Sequence, residues 1–216
     1  MMKLFVSNKA YSPWPLRVWL LMRELGLEFE EHVVDLGAPG KAERLKAVSP
    51  SGRLPVLVDG EAVVWDSMSI IEYLQERFPE AGIWPRERPA RAYARSVAAE
   101  MHSGFQALRS RLVMNTRRQP KPVEMSPQVL ADIDRLTSIW TGARERFGAG
   151  GPFLFGRFSA ADAVYAPVVD RFRGYGISVP EECRRYMDAV QMLPGYRAWV
   201  EDSFRDPWHN PATDGL

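Results

Sequence analysis

The sequence predicts two structural units in series, an α/β unit over residues 1–80 and an all-helical bundle over residues 90–216, joined by a linker at 81–89. Three observations predict it. Strand-length apolar runs alternate with helical stripes in the first part of the chain. A Pro- and charge-rich stretch over 79–89 then breaks the pattern. Beyond it, every apolar stripe has helical spacing, with Pro and Gly clusters between stripes. Units of this size are ordinary for independent domains.

Residues 3–7 alternate polar and apolar and read as a short strand. A turn-rich loop follows, Asn8-Lys9-Ala10-Tyr11-Ser12-Pro13. Residues 15–25 carry Leu16, Trp19, Leu20 and Met22 at helical spacing, with Pro15 suited to a helix start and Gly26 to a stop. Residues 29–34 read as a second strand. A helical link runs from about Gly40 to the loop Ser49-Pro50-Ser51-Gly52. Two short strands at 55–58 and 62–64 flank Asp59-Gly60, a dipeptide that favours a tight hairpin. Asp66-Ser67 opens a helix striped by Met68, Ile70, Ile71 and Leu74, completing the order βαβαββα. The second unit is expected to hold helices at 90–114, 128–147, 160–173, 180–192 and 195–204. Ser159-Ala160-Ala161-Asp162 reads as a capping box with a folding role.

The composition is that of a cytosolic globular protein, 46% hydrophobic and 25% charged. With 28 Lys+Arg against 27 Asp+Glu, the net charge of +1 gives no general attraction to nucleic acid or anionic membranes. The single cysteine, Cys183, excludes an intrachain disulfide and any CxxC redox or zinc motif, and it reads as buried and inert. No apolar run approaches the roughly 18 residues that span a bilayer. A soluble cytoplasmic protein without a metal is the expectation.

Three N-terminal landmarks and the two-unit layout resemble the cytosolic glutathione transferase superfamily over essentially the whole chain. They are Ser12-Pro13-Trp14-Pro15-Leu16-Arg17, Ser49-Pro50-Ser51-Gly52-Arg53-Leu54-Pro55-Val56-Leu57, and Trp65-Asp66-Ser67-Met68-Ser69-Ile70. The resemblance implies a thioredoxin-like N-terminal domain, glutathione as co-substrate, a small electrophile as partner, and a homodimer. It places Ser12 where such proteins carry a catalytic Ser or Cys. It implies a cis bond at Leu54-Pro55, a Leu54 backbone that pairs with the cysteinyl portion of glutathione, and Asp66 and Ser67 at its γ-glutamyl end, with Arg53 near the glycyl carboxylate.

The chemistry asks for a thiolate, since a free thiol of pKa about 8.5 is mostly protonated at neutral pH. Lowering that value by about two units takes roughly 2.7 kcal/mol of anion stabilisation. A hydrogen bond from Ser12 and the N-terminus of the following helix are two sources of it. Tyr11 is the alternative donor, and a plain Ser-Pro turn is the structural alternative for Ser12. The second-substrate pocket is expected among Tyr11, Trp14, Met101, His102, Phe105 and Arg109, although that helical stripe also suits a core. Arg109, Arg111, Arg117, Arg118 and Lys121 read as a solvated helix end and loop or, alternatively, as a preference for anionic acceptors. Without a cysteine at position 12, mixed-disulfide reduction does not carry over. Glutathione-dependent isomerisation of the maleylacetoacetate isomerase kind, or binding without catalysis, are the competing functions.

Overall fold

The computed structural model describes residues 1–37 and 39–214 of the chain. Four strands, β1 (Met2–Ser7), β2 (Phe29–Val34), β3 (Val56–Asp59) and β4 (Ala62–Trp65), form a mixed sheet in the order β2-β1-β3-β4. β1 runs parallel to β2, while β3 is antiparallel to both β1 and β4. Helices α1 (Pro13–Glu24), α2 (Lys41–Val48) and α3 (Ser67–Arg77) complete the expected βαβαββα order. Met2, Leu4 and Val6 alternate inward along β1, as a half-covered strand requires.

The rest is helical: α4 (Arg88–Ser103), α5 (Gln106–Arg111), α6 (Pro127–Phe147), α7 (Ala160–Gly174), α8 (Glu181–Met192), α9 (Pro194–Arg205) and a single turn, α10 (Pro211–Asp214). The single helix expected over 90–114 is two. Gly104 ends α4, and Phe105 adopts a left-handed conformation, φ 58°, with its ring in the core. That bend redirects everything after it. The first helix also starts earlier than expected, because Pro13 itself is tolerated in a first turn. Part of the expected loop before it is a 3₁₀ turn, Lys9–Tyr11. The Ser159–Asp162 capping box is present: the Asp162 carboxylate accepts from the Ser159 amide at 2.9 Å and the Leu154 amide at 3.0 Å.

α1 is wedged between the sheet and the helical unit, packing on β1 and α3 on one side and α7 and α9 on the other. Residues 15–22 are therefore buried without interruption, which includes Arg17. A buried cation fastens the same junction. Lys9 Nζ pairs with Glu31 of β2 and Asp202 of α9, both at 2.7 Å, and lies over the rings of Trp19 and Trp199. The Lys9 carbonyl accepts from Trp199 Nε1 at 2.9 Å.

Two expectations for polar residues change here. Arg117 is neither solvated nor free for an anion: it donates to the carbonyls of Ser203, Asp206 and Trp208. Arg118 likewise donates to those of Gly174 and Lys121. These guanidiniums staple the loop after α5 to α7 and to the end of α9. Cys183 is buried between α8 and α6, where burial raises its thiol pKa. Among the described residues, no helix is long and apolar enough to cross a membrane.

Lys9→Ala is expected to cost about 2–3 kcal/mol, less than a fully buried pair because Glu31 and Asp202 keep some water. Chemical denaturation checks this; a loss under 1 kcal/mol would show that the cation is not what fastens the junction.

Candidate active site

A cleft of about 800 Å³ opens where the loop after β1, the loop before β3, the β4–α3 junction and α4 meet. Its first wall is the loop that Lys9 anchors. Ser12 occupies the N-cap position of α1 and is buried, with only an edge towards the cleft. Its hydroxyl donates to the Asn8 carbonyl at 2.6 Å and also meets the Ser7 hydroxyl. Pro13 and Pro15 carry no N–H, so Trp14 supplies the only free-standing amide of the first three helical residues. The helix start offers fewer donors to an anion than a proline-free one.

Tyr11 lines the cleft, but its hydroxyl turns elsewhere. It donates to Asp214 Oδ1 at 2.6 Å and accepts from the Asn210 amide at 3.2 Å. Burial, then the hydrogen bond to Asp214, raises its pKa. The C-terminal turn α10, unforeseen in the sequence, is what occupies this phenol.

The second wall is the loop entering β3. The Leu54-Pro55 bond is cis. Ser49 holds the loop from beneath: its hydroxyl donates to the Arg53 carbonyl at 2.6 Å and accepts from the Arg53 amide at 3.1 Å. Arg53 is exposed at the rim, and Leu54 and Pro55 face the cleft.

The third wall is the start of α3. Asp66 has φ 74° and ψ 133°, a conformation costing an L residue about 1–3 kcal/mol. Its Oδ1 accepts from the Met68 amide at 2.8 Å, capping the helix. Ser67 is 1% exposed and its hydroxyl has no hydrogen-bond partner, although it lines the cleft. A buried hydroxyl without a partner among the described residues, beside a helix N-terminus, suits a carboxylate acceptor.

The expected second-substrate residues divide in two. His102 and Arg109 reach the cleft beside Tyr11 and Trp14. Met101 and Phe105 do not: both are buried in the hydrophobic core and line no part of it. Met101 precedes His102 on α4 and so faces about 100° away from it, while Phe105 turns inward at the bend between α4 and α5. His102 meets Trp14 edge-on at 5.0 Å and places Nε2 3.3 Å from Asp66 Oδ2. Arg109 donates to the His102 carbonyl at 3.0 Å and also lies over Trp14.

Two residues of the site carried no motif. Ser7, the last residue of β1, breaks the inward alternation with a hydroxyl, a signal that was available. Lys41, exposed at the start of α2, lines the cleft but resembles any solvated lysine. Arg17, the last residue of the first landmark but given no role of its own there, sits behind Trp14, its guanidinium 4.3 Å from the ring.

Comparisons with known proteins agree with this layout. The family model of the glutathione S-transferase N-terminal domain matches residues 11–77, and that of the C-terminal domain matches residues 90–202. A zeta-class glutathione S-transferase of Euphorbia esula is 34% identical over 211 residues, 94% of this chain and 92% of that protein. A maleylacetoacetate isomerase of Pseudomonas aeruginosa is 29% identical over 203 residues, 91% of this chain and 94% of that protein. The matches to glutathione S-transferase 1 of Dianthus caryophyllus and to a probable maleylacetoacetate isomerase of Caenorhabditis elegans span about half of those relatives, 51% and 49%. A Burkholderia glutathione transferase homolog, solved with bound glutathione, shares the fold at a TM-score of 0.72 and 24% identity, covering 94% of this chain and 98% of that one.

His102 gives a test of the electrostatics. Burial lowers its pKa from 6.5, Asp66 opposes, and Arg17 and Arg109 lower it further. The ring thus favours its neutral form more than a free imidazole does, and on taking up a proton its imidazolium pairs with Asp66. In an NMR titration, Asp66→Asn should move the midpoint lower still and Arg109→Gln should move it up; a wild-type midpoint above 6.5 would contradict the geometry.

Proposed function

The chain belongs to the glutathione S-transferase superfamily, and on that premise we propose that its cleft binds glutathione and sets the thiol beside Ser12 for transfer to an electrophile or a peroxide. One observation carries the reading furthest. The orphan Ser67 hydroxyl, the strained Asp66 and the Leu54 main chain share one cleft with Ser12, as an extended, anionic tripeptide requires. The γ-glutamyl carboxylate takes Ser67 and the first amides of α3, and Asp66 faces the ammonium group. Leu54 pairs with the cysteinyl peptide in the manner of an added strand, beside Pro55. The glycyl carboxylate then falls towards Arg53 and Lys41, the cations on that side of the rim.

The sulfur end is where the geometry constrains the mechanism. Ser12 already donates its proton to the Asn8 carbonyl, so it must turn from Asn8 to sulfur to stabilise a thiolate. A hydrogen bond to a charged acceptor contributes about 1.5–3 kcal/mol against about 1 for the neutral bond given up. The exchange favours the thiolate, with Ser7 able to fill behind it. Tyr11 is the weaker alternative, since its hydroxyl is bound to Asp214. A homodimer in the cytoplasm belongs to the same reading on the strength of the family alone.

Glutathione-dependent isomerisation is the second reading, favoured by the 29% identity to a maleylacetoacetate isomerase across 91% of this chain. In it the thiolate adds to the substrate and leaves again, so glutathione is not consumed. Transfer consumes it in proportion to product. A protein that retains glutathione and turns over neither substrate class is a binding protein of the same fold.

Calorimetry should find glutathione bound by the wild type and weakened about tenfold or more in Ser67→Ala, the loss of one charge-assisted hydrogen bond. Absence of binding to the wild type would end the enzyme reading. Ultraviolet titration of the bound thiol should show a pKa about 0.5–1.5 pH units higher in Ser12→Ala than in the wild type. Equal values would remove Ser12 from the mechanism and turn attention to Ser7 and the Trp14 amide.

A further inference from the structure

Behind Trp14, and sharing Tyr11, Pro13, Trp14 and Arg109 with the cleft as lining, lies a smaller cavity of about 260 Å³. Three guanidiniums from three helices line it: Arg17 of α1, Arg109 of α5 and Arg171 of α7. Gln106 and Ser110 supply its neutral polar surface, and among the described residues no carboxylate lines it. We propose that this cavity is an anion subsite that takes a carboxylate group of the second substrate. The proposal rests on the reading of the adjoining cleft as the place where the glutathione sulfur meets that substrate.

Arg17 is the strongest argument. It is 2% exposed, and its Nε and Nη1 are buried without any hydrogen-bond partner. Its contact is the face of Trp14, which accepts positive charge but satisfies no N–H. An arginine side chain is charged at every physiological pH and presents five donors in a planar fork. Buried polar groups in folded proteins are nearly always paired, and buried charges are paired most strictly of all. An unpaired, buried guanidinium facing a cavity therefore marks the place of a missing acceptor.

The neighbouring cations do not supply it. Arg171 donates Nε to the Leu112 carbonyl at 2.7 Å and Nη1 to the Pro167 carbonyl at 3.1 Å. Arg109 donates to the His102 carbonyl and to Gln106 Oε1. Both make their hydrogen bonds to neutral oxygens, and the carboxylates that act on them, Asp170 on Arg171 and Asp132 on Arg109, do so from beyond ion-pair distance. The nearby carboxylate on α7, Asp170, is held by Arg173 and by the Tyr196 hydroxyl. Asp66 faces His102 and Asp132 accepts from the Leu108 amide. The crowding acts on the guanidiniums themselves: burial, then Arg171 and Arg109, lowers the Arg17 pKa to about 9, and burial, with Arg109 adding to it, lowers that of Arg171 to about 10. A bound anion would reverse both.

The geometry favours a carboxylate over a larger oxyanion. Planar forks match the two oxygens of a carboxylate; among the described residues no lysine lines the cavity, and the α1 start that borders it carries Pro13 and Pro15, which have no amide N–H to wrap a phosphate. Gln106 and Ser110 can orient such a group without opposing its charge. Because Arg109 and Trp14 belong to both cavities, a carboxylate held here would leave the rest of a small substrate projecting past Trp14 towards Ser12. The subsite would thus select acids among electrophiles.

Isothermal calorimetry of the full chain in chloride-free buffer, without glutathione, tests the cavity by itself. Succinate should bind, dimethyl succinate should not, and inorganic phosphate should bind at least fivefold more weakly than succinate. Arg17→Met and the more accessible Arg109→Gln should each weaken succinate about tenfold or more, with circular dichroism confirming the fold of whichever variant is used. No succinate binding, binding unchanged in a folded Arg109→Gln, or phosphate binding as tightly as succinate would each overturn the assignment. The substrate arm compares monomethyl fumarate with dimethyl fumarate in glutathione addition. A lower KM for the acid, lost in Arg109→Gln, supports the subsite; equal KM values count against it. If neither fumarate reacts, the transferase reading fails, while the succinate titration still decides the cavity.

Discussion

A single buried ammonium determines where the cleft can be. Lys9 stands in the short loop between β1 and α1, and its Nζ is gripped by carboxylates from β2 and α9 and by two indoles from α1 and α9. Burying that charge is favourable only because both counter-charges and both aromatic faces are present together. The loop is thereby fixed to the sheet and the helical unit at once, and Ser12 follows three residues later. Trp19 adds a second tie, donating Nε1 to the same Glu31 at 2.5 Å. The wall of the cleft is thus rigid for reasons that lie outside the cleft.

The charge count hides how the arginines are used. A net charge of +1 suggests an even surface. In space, Arg117 and Arg118 serve as internal cross-braces, satisfying carbonyls left open where helices end. Arg17, Arg109 and Arg171 are gathered around one cavity instead. Arg109 and Arg171 are also held by carbonyls, whereas Arg17 buries N–H groups that no acceptor among the described residues meets. The same residue type does both within a few ångströms of α7, and composition cannot separate the two.

Much of the fold was legible because its periodicities are strong. The strand spacing of β1 and the stripe of α3 survive unchanged into the structure, and so do the capping box and the three cleft landmarks. What was illegible depends on tertiary contacts. Phe105 takes a left-handed backbone because its ring belongs in the core, and no local rule foretells that in a phenylalanine. Phe105 left the expected pocket at the resulting bend, whereas Met101, on α4 before it, is buried because it lies on a different face of the helix from His102. Tyr11 faces Asp214 because of α10, a turn too short to have a period of its own. Arg17 closed the first landmark without a role of its own; only the packing of α7 against α1 made it a buried charge.

Asp66 shows what such a site demands of the chain that carries it. Its backbone occupies a region where glycine rests comfortably and other residues do not. Glycine is also an acceptable helix cap, only a few tenths of a kcal/mol short of aspartate. A search for hardier variants, guided by melting temperature alone, would therefore be drawn to Asp66→Gly. It would trade away the carboxylate that faces His102 and the ligand's expected ammonium group. The position is a small instance of stability and activity pulling apart, with the molecule standing on the side of activity.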